Sequence, residues 1–295
     1  MNKSVSGAEK DYITLGVLEN VRGDGRLNTN LRAISIEDQV LPHLHGSSKV
    51  SIGNATDVMC SVKLTVDTPQ PEASSSGILD IRVDISQFTN VRVDERQLQE
   101  IGSNLAESLR SMLDDSDALN LKEFCIIPEV YCWVIHVDIL VLRVDGSLLE
   151  AASMAILSAL KAAKVPKVNK IIGESGVEED FEVSGDLGEA VGIGCSKVPL
   201  FITVVKIGNC LVLDPSHAEL MCASGQLTIA IDREGCCCGL EKTLKGTFTF
   251  QEIGEAIEIA SEAVNALFVT VDKIHAQSTK SLYPQIPPQR IGLLA

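Results

Sequence analysis

The chain has 295 residues, of which 45% are hydrophobic and 22% are charged, proportions typical of a globular protein. Its 25 Lys and Arg residues against 40 Asp and Glu residues give a net charge of −15. This charge argues against non-specific nucleic-acid binding by the chain alone, because phosphate contacts need Lys and Arg. No stretch approaches the roughly 20 apolar residues of a membrane helix. The nine cysteines, an odd number in mostly apolar segments, indicate a reducing compartment, so we expect a cytosolic or nuclear protein.

The first half of the chain combines strand-like segments with two helices. Ser6 is a candidate N-cap with Glu9 three residues later, and this pair predicts a short helix over residues 6–19. Alternating apolar residues predict strands near 34–36, 50–52, 58–66 and 78–85. Apolar residues at steps of three and four predict a helix over 94–113, with Asp94 as its N-cap. The apolar stripe of that helix consists of Leu98, Ile101, Leu105, Leu109 and Met112.

A strand, a tight turn and a helix follow in the middle of the chain. Two strands lead to the turn at Asp145 and Gly146, and a helix of small and apolar residues is predicted over 147–163. The acidic run from Glu174 to Glu182 is interpreted as a solvated loop.

The second half repeats the pattern of a strand meander followed by a helix. Its strands are predicted near 199–207, 210–214, 225–232 and 236–241. Thr249 with Glu252 opens a long last helix, and the residues after Gln277 are predicted to form a flexible arm. Two similar halves of this kind predict an α+β or α/β sandwich with internal duplication.

The turn at Asp145 has the geometry of an anion site, because the first N–H groups of a helix are unpaired and its dipole favours negative charge. No Lys or Arg lies between Arg143 and Lys161, so the turn itself supplies no cation. We interpret Leu148 and Leu149 at the helix start as core residues. The sequence therefore predicts the scaffold of an anion site without its chemistry.

This strand–turn–helix segment, together with the Arg-Gly-Asp-Gly-Arg run at 22–26, resembles the RNase PH family of phosphate-dependent 3′→5′ exoribonucleases. Within that family, the chain is similar to the non-catalytic ring subunits of the eukaryotic RNA exosome. The segments that carry this closer resemblance are Ala8–Ile13, Gly16–Val17, Cys132–Trp133, Leu148–Ala151 and Val165–Val168. The resemblance covers residues 8–270 and implies an α+β, RNase PH-like fold, also described as ribosomal protein S5 domain 2-like. It implies one pseudo-duplicated domain over 1–275 and an arm over 276–295.

The resemblance also implies where active relatives carry their chemistry. Their phosphate grip, Gly-(Thr or Ser)-Arg, falls on Ser147, Leu148 and Leu149, and Leu cannot replace the charge-assisted bidentate bonds of Arg. Their two acidic residues, which bind metal and transfer a proton, fall on Leu220 and Gln226, and neither side chain can ionise. The resemblance therefore implies that this chain lacks both halves of the catalytic site.

Charged residues near these positions have structural as well as functional interpretations. Glu219 is adjacent to one of the two carboxylate positions. A shift of one residue on a strand would point its side chain to the opposite face, which argues against Glu219 as a catalytic acid. Arg92 and Arg96 correspond to arginines that guide RNA in active relatives, and the alternative is a solvated helix face with surface ion pairs. We interpret Arg22 and Arg26 as ordering the N-terminal loop against acidic neighbours.

No combination of side chains in the sequence predicts a metal or cofactor site. His43 and His45 lie in a loop without further ligands nearby. The run Cys236–Cys238 alternates between the two faces of a predicted strand, so its three thiols cannot readily bind one zinc ion. We therefore expect no metal and no cofactor.

The resemblance implies a non-catalytic structural subunit of the exosome ring, which supports 3′→5′ processing and degradation of RNA. The implied partners are other RNase PH-like ring subunits, cap proteins with RNA-binding folds and a hydrolytic nuclease, with RNA in the assembled channel and no membrane. The implied locations are the nucleus, the nucleolus and the cytoplasm. Two alternatives stay open, an active phosphate-dependent exoribonuclease and a free-standing interaction domain.

Overall fold

The structure, a computed structural model, describes residues 5–53, 55–86, 95–115, 118–172 and 178–281. The first half consists of α1 (Gly7–Leu18), β1 (Ile34–Asp38), β2 (Gly46–Ile52), β3 (Thr56–Asp67), β4 (Ile78–Ile85), α2 (Glu95–Asp115), β5 (Cys125–Ile127), β6 (Tyr131–Arg143) and α3 (Leu148–Ala162). The second half consists of β7 (Lys164–Val165), β8 (Val168–Ile172), β9 (Glu178–Val183), β10 (Val191–Gly192), β11 (Leu200–Ile207), β12 (Cys210–Leu213), α4 (His217–Leu220), β13 (Gly225–Ile231), β14 (Cys237–Thr243) and α5 (Phe250–Ser281). The predicted strands and long helices are confirmed in their order.

The strands of the first half form a six-stranded sheet in the order β1-β2-β3-β6-β4, with β5 beside β6. Neighbouring strands are antiparallel except β4, which is parallel to β6 and reaches it through α2. The alternation predicted for β3 is confirmed, because Val58, Cys60, Val62 and Leu64 are all buried.

The strands of the second half form an antiparallel sheet in the order β12-β11-β13-β14. Two small ribbons, β7 with β10 and β8 with β9, lie outside the two larger sheets.

The interpretation of the acidic run as a loop is wrong for residues 178–182, because these residues lie in β9, antiparallel to β8. Exposed positions favour charged side chains, and the charges obscured the strand period. The ring of Phe181 packs edge-on against that of Tyr131 at 5.1 Å and marks the apolar side of β9. The earlier part of the run, up to residue 177, lies outside the described residues.

Helix α3 lies between the two larger sheets and contacts β2 and β3 on one side and β11 on the other. Its small residues Ala151, Ala155 and Ala159 are fully buried. The helix packs closely on β2, since a Cβ added at Gly46 would lie 2.3 Å from the carbonyl oxygen of Ala159. The hydroxyl of Ser48 also donates a hydrogen bond of 2.7 Å to the carbonyl of Ala155. One hydrophobic core thus joins both halves, as expected for the predicted sandwich.

Helix α2 packs on β4 and β14, and most of its predicted apolar stripe faces the protein. Ile101 is an exception and is exposed. Its neighbour Gly102 faces the strand instead, where an added Cβ would lie 2.5 Å from the carbonyl oxygen of Val83. The predicted N-cap, Asp94, lies outside the described residues.

Helix α5 packs on β11 and β13 and continues to Ser281. It therefore crosses the predicted boundary between a domain over 1–275 and an arm over 276–295. The rest of that arm, residues 282–295, lies outside the described residues, and its flexibility stays a prediction.

Helix α1 packs on the edge of the second sheet. The hydroxyl of Ser6 accepts a hydrogen bond of 3.3 Å from the backbone N–H of Glu9, which confirms the predicted N-cap. Val17 is buried in a small cluster with Val205, Ile207 and Val212. Among all helices of the described residues, none is both long and apolar enough to cross a membrane.

Candidate functional site

The turn between β6 and α3 is fixed by two other segments of the chain. Gly146 has a φ of 98°, and an added Cβ would lie 2.0 Å from the carbonyl oxygen of Pro215. The Asp145 N–H donates to the hydroxyl of Thr56 at 3.1 Å, and the backbone N–H of His217 donates to Oδ1 of Asp145 at 3.0 Å. The turn is therefore held between β3 and the loop that follows β12.

The first residues of α3 do not form a charged grip. Ser147 is the N-cap residue, and its hydroxyl is buried without a hydrogen-bond partner in the described part of the chain. Leu148 and Leu149 are half-buried and pack against the main core, which confirms their interpretation as packing residues.

A cation that the local sequence does not indicate reaches this turn from the N-terminal segment. Arg32 donates through Nη1 to the carbonyl of Asp145 at 2.7 Å, and its Nη1 lies 3.7 Å from the Asp145 carboxylate. Its other guanidinium nitrogens bond Asp214, with distances of 2.9 Å from Nε to Oδ2 and 2.5 Å from Nη2 to Oδ1. Burial alone would lower the pKa of Arg32, but the bonds and charge of Asp214 raise it above its ordinary value. The guanidinium is thus neutralised by a carboxylate of its own chain.

Two further arginines make similar contacts, and they confirm that Arg22 and Arg26 order the N-terminal loop. Arg22 is buried, donates through Nε to Glu219 at 2.8 Å, and also bonds the carbonyl oxygens of residues 213 and 214. Arg26 donates through Nη1 to Oδ2 of Asp214 at 3.1 Å. Burial would raise the pKa of Glu219, but the hydrogen bond from Arg22 holds it below its usual value.

A second buried carboxyl group, that of Glu150 in the first turn of α3, faces Asp214. Burial and the charge of Asp214 raise the pKa of Glu150 well above its usual value, and the two carboxyl groups share a hydrogen bond. Glu150 also accepts a hydrogen bond of 2.5 Å from the backbone N–H of Thr203 in β11. The raised pKa favours the protonated form of Glu150, which can donate to Asp214, because two buried carboxylates in contact would repel each other.

We call these side chains the arginine–carboxylate cluster, and its members are Arg22, Arg26, Arg32, Glu150, Asp214 and Glu219. Each guanidinium in it contacts a carboxylate, and Glu150, Asp214 and Glu219 are all buried residues. The cluster connects the N-terminal segment, the start of α3 and the second sheet. This arrangement can hold those elements together. Arg26 and Arg32 share the carboxylate of Asp214, and each also faces a second one, Asp24 at 2.6 Å from Arg26 and Asp145 at 3.7 Å from Arg32, so no guanidinium is left to an anion without a competing carboxylate.

The two positions implied for catalytic carboxylates have no ionisable group. Leu220 is half-buried in the small cluster beneath α1, and Gln226 pairs with Val205 in the second sheet. Leu220 and Glu219 lie in the short helix α4, so the strand argument used for Glu219 was wrong. The capping box of Ser216 with Glu219 was the sequence signal for that helix. Glu219 itself is occupied by its bond to Arg22.

The two candidate RNA contacts stay predictions. Arg96 is exposed in the first turn of α2, whereas Arg92 lies outside the described residues. The sequence did not predict one cluster of residues of the kinds that bind metals. Asp232, Glu234 and Cys236 come together in the turn between β13 and β14. Its geometry is that of a turn, because Oδ1 of Asp232 accepts from the backbone N–H groups of both other residues.

Curated relatives extend over nearly the whole chain. Exosome complex component Rrp42 of Methanocella arvoryzae is 31% identical over 263 residues, which cover 89% of this chain and 95% of the relative. The protein of the same name from Pyrococcus abyssi is 32% identical over 259 residues, which cover 88% and 92%.

Solved structures share the fold. A chain of the Archaeoglobus fulgidus exosome with RNA bound to the active site gives a TM-score of 0.77 at 24% identity, covering 88% of this chain and 96% of that one. A chain of an archaeal exosome core gives a TM-score of 0.72 at 23% identity, covering 89% and 96%. The predicted RNase PH-like fold is confirmed by these matches.

Two family models also match the sequence. Residues 30–166 match domain 1 of the 3′ exoribonuclease family, and residues 197–263 match domain 2. The two matches together cover more than half of the chain and fall on its two sheets. The chain therefore belongs to the RNase PH family of 3′ exoribonucleases, with exosome components named Rrp42 among its relatives.

Proposed function

We propose that this chain is a ring subunit of a eukaryotic RNA exosome and has no catalytic site of its own. The observation that carries the proposal is the state of the turn at α3. Leu148 and Leu149 occupy the implied positions of the phosphate grip, and the cation that reaches the turn, Arg32, is neutralised by Asp214. A phosphate there would have to compete with a buried carboxylate of the same chain for that guanidinium.

The remaining parts of the proposal rest on the relatives and on the resemblance. Their name, exosome complex component, supports assembly with other RNase PH-like subunits into a hexameric ring. We propose cap proteins with RNA-binding folds and a hydrolytic nuclease as further partners, and the assembled channel as the place where RNA passes. The net charge of −15 fits a subunit that supports the channel more than it grips RNA. The proposed processes are rRNA maturation and mRNA turnover in the nucleus, the nucleolus and the cytoplasm.

The alternative is an active phosphate-dependent exoribonuclease, and the position of Arg32 is the observation in its favour. In that alternative, Arg32 would leave Asp214 and bind the phosphate. The buried carboxylate of Asp214 would then keep Arg26 as its remaining charged partner, and the loss of its bonds to Arg32 would be costly.

Two measurements test the proposal. The tagged chain is purified from its own cells under mild conditions, and stoichiometric partners are identified by mass spectrometry. We expect a full set of RNase PH-like subunits, and recovery of the chain alone would refute the ring assignment. The purified chain is then incubated with labelled single-stranded RNA, Mg²⁺ and inorganic phosphate, beside an active phosphorolytic enzyme. We expect no release of nucleoside diphosphate, and release by the purified chain would refute the non-catalytic assignment.

A further inference from the structure

Helix α1 carries apolar side chains on two opposite faces, and only one of these faces is covered. Val17 is buried against the second sheet, and Ile13 packs beside it. On the other face, Tyr12, Leu15 and Leu18 are 71%, 63% and 52% exposed. A surface helix ordinarily places polar residues on its outer side, and a helix that is apolar all round is ordinarily buried. The outer face of α1 therefore has the composition of a covered surface.

The same face contains a groove with a fixed floor. The groove has a volume of about 280 Å³ and lies between α1 and the segment that follows it, with Tyr12, Leu15 and Val21 in its walls. Gly16 forms part of its floor, where an added Cβ would lie 2.6 Å from the carbonyl oxygen of Val21. The ion pair between Arg22 and Glu219 holds the other end. Small-molecule pockets usually measure roughly 300–1,000 Å³, so this groove fits a partner's side chain better.

The charges around this face select the kind of partner. Asp11 and Glu19 are exposed on the same side of α1 as this face, and the opposite charges of Glu9 and Lys10, both exposed near the start of the helix, offset each other. A second copy of this chain would bring the same acidic residues, and its net charge is also −15. Like charges that meet across an interface cost several kcal/mol by the usual estimate. The complementary surface therefore carries Lys or Arg around an apolar side chain.

We propose that the outer face of α1 is the docking surface for a different RNase PH-like subunit of the ring. This inference rests on the proposed function, because it takes the partner from the same assembly. The partner inserts an apolar side chain into the groove beside Gly16 and places basic side chains against Glu19 and Asp11. Leu15 is then at the centre of the contact, and the acidic residues form its polar rim.

Site-specific photo-crosslinking tests the contact in the intact assembly. A photoreactive amino acid replaces Leu15 in the tagged full-length chain, and a matched chain carries it at Val269, which is 51% exposed on α5. After irradiation in cells, the crosslinked peptides are identified by mass spectrometry. We expect position 15, and not position 269, to join an RNase PH-like subunit at a segment that contains Lys or Arg.

Each result of this experiment has one meaning. If the ring subunits copurify but position 15 reacts with a second copy, a cap protein or nothing, the docking surface is refuted and the proposed function stands. If the unmodified chain recovers no RNase PH-like subunit, both are refuted.

Two substitutions provide an independent measurement in the same purification. We expect Leu15→Glu to reduce the recovered RNase PH-like subunits by about tenfold or more, as for a central contact residue. Val269→Glu, the matched control, should leave recovery unchanged. Both positions are exposed, so the melting temperature of the isolated variants should stay within about 2 °C of the wild type. Equal recovery with the two variants would contradict the docking surface.

Discussion

The same chemical change at two touching carboxyl groups should have opposite effects, and this contrast tests the arginine–carboxylate cluster. Asp214→Asn and Glu150→Gln each convert a buried carboxyl group to an amide. Asp214 accepts hydrogen bonds from the guanidinium groups of Arg26 and Arg32, so the amide at 214 would remove the buried carboxylate that pairs with both of these half-buried cations. The amide of Gln at 150 can instead donate to Asp214 and accept from Thr203, as a protonated glutamate does.

The structure gives the size and the pH dependence of each effect. Removing one partner of a buried ion pair costs about 3–5 kcal/mol, which is a loss of about 6–10 °C in melting temperature for a chain of this size. We expect that loss for Asp214→Asn. The folded chain raises the pKa of Glu150 above the ordinary glutamate pKa of 4.5. As the pH rises above 4.5, the unfolded chain therefore loses the carboxyl proton of Glu150 before the folded chain does. The wild type therefore loses stability from that pH up to the raised folded pKa. Glu150→Gln has no carboxyl group to ionise and lacks this loss. Its free energy of unfolding should be within about 1 kcal/mol of the wild-type value at low pH, and the variant should be at least as stable as the wild type at pH 7.

Urea unfolding followed by circular dichroism measures both variants between pH 4 and pH 8. The m-value should stay constant, which shows that the substitutions change stability and not the compactness of either state. Equal losses for the two variants at pH 7, or a larger loss for Glu150→Gln, would refute the assignment of a neutral Glu150 beside a charged Asp214.

Three further substitutions test other contacts. Gly146→Ala should lower the melting temperature by several degrees, because its φ is 98° and a Cβ would lie 2.0 Å from a carbonyl oxygen; an unchanged value would show that the turn can relax. Glu219→Gln should cost more at pH 7 than at pH 4, because Arg22 lowers the pKa of Glu219 against the effect of burial and its stabilisation fades as the pH falls; a pH-independent loss would contradict this. Hydrogen bonds from Arg233 lower the pKa of Asp272 to about 2, so its stabilisation is full above 3.8 and fades toward pH 2. Asp272→Asn should flatten that part of the stability profile, and an unaltered profile would argue against the ion pair.

Most of the fold could be predicted from the sequence, because the spacing of apolar residues agrees with the pattern of burial along most of the chain. The alternation at Val58, Cys60 and Val62 corresponds to one buried face of β3. The small and apolar residues over 147–163 predicted a helix, and that helix, α3, lies between the two sheets. The spacing of apolar residues did not predict β9, because the exposed ribbon that contains this strand is rich in charged residues. Phe181 with Val183 was the signal that could have indicated it.

The candidate site followed from the sequence only in part. The absence of local charge at Leu148 and Leu149 was visible, but the approach of Arg32 was not, because its contact with Asp214 joins residues 182 positions apart. Nothing in the sequence indicated that Glu150 is buried in the fold and that its pKa is raised. Both features depend on tertiary contacts, and no periodicity or spacing encodes them.

The long reach of the N-terminal arginines has a consequence for the timing of folding during synthesis. Arg22 contacts Glu219, 197 positions later in the chain. At roughly 5–20 residues per second, a ribosome takes roughly 10–40 s to add the residues between them. Throughout that interval Arg22 lacks its native carboxylate partner, although the residues of the first sheet have already been made. The segment that begins the chain is thus among the last to reach its native place, and a chaperone or a neighbouring subunit has that interval in which to meet it.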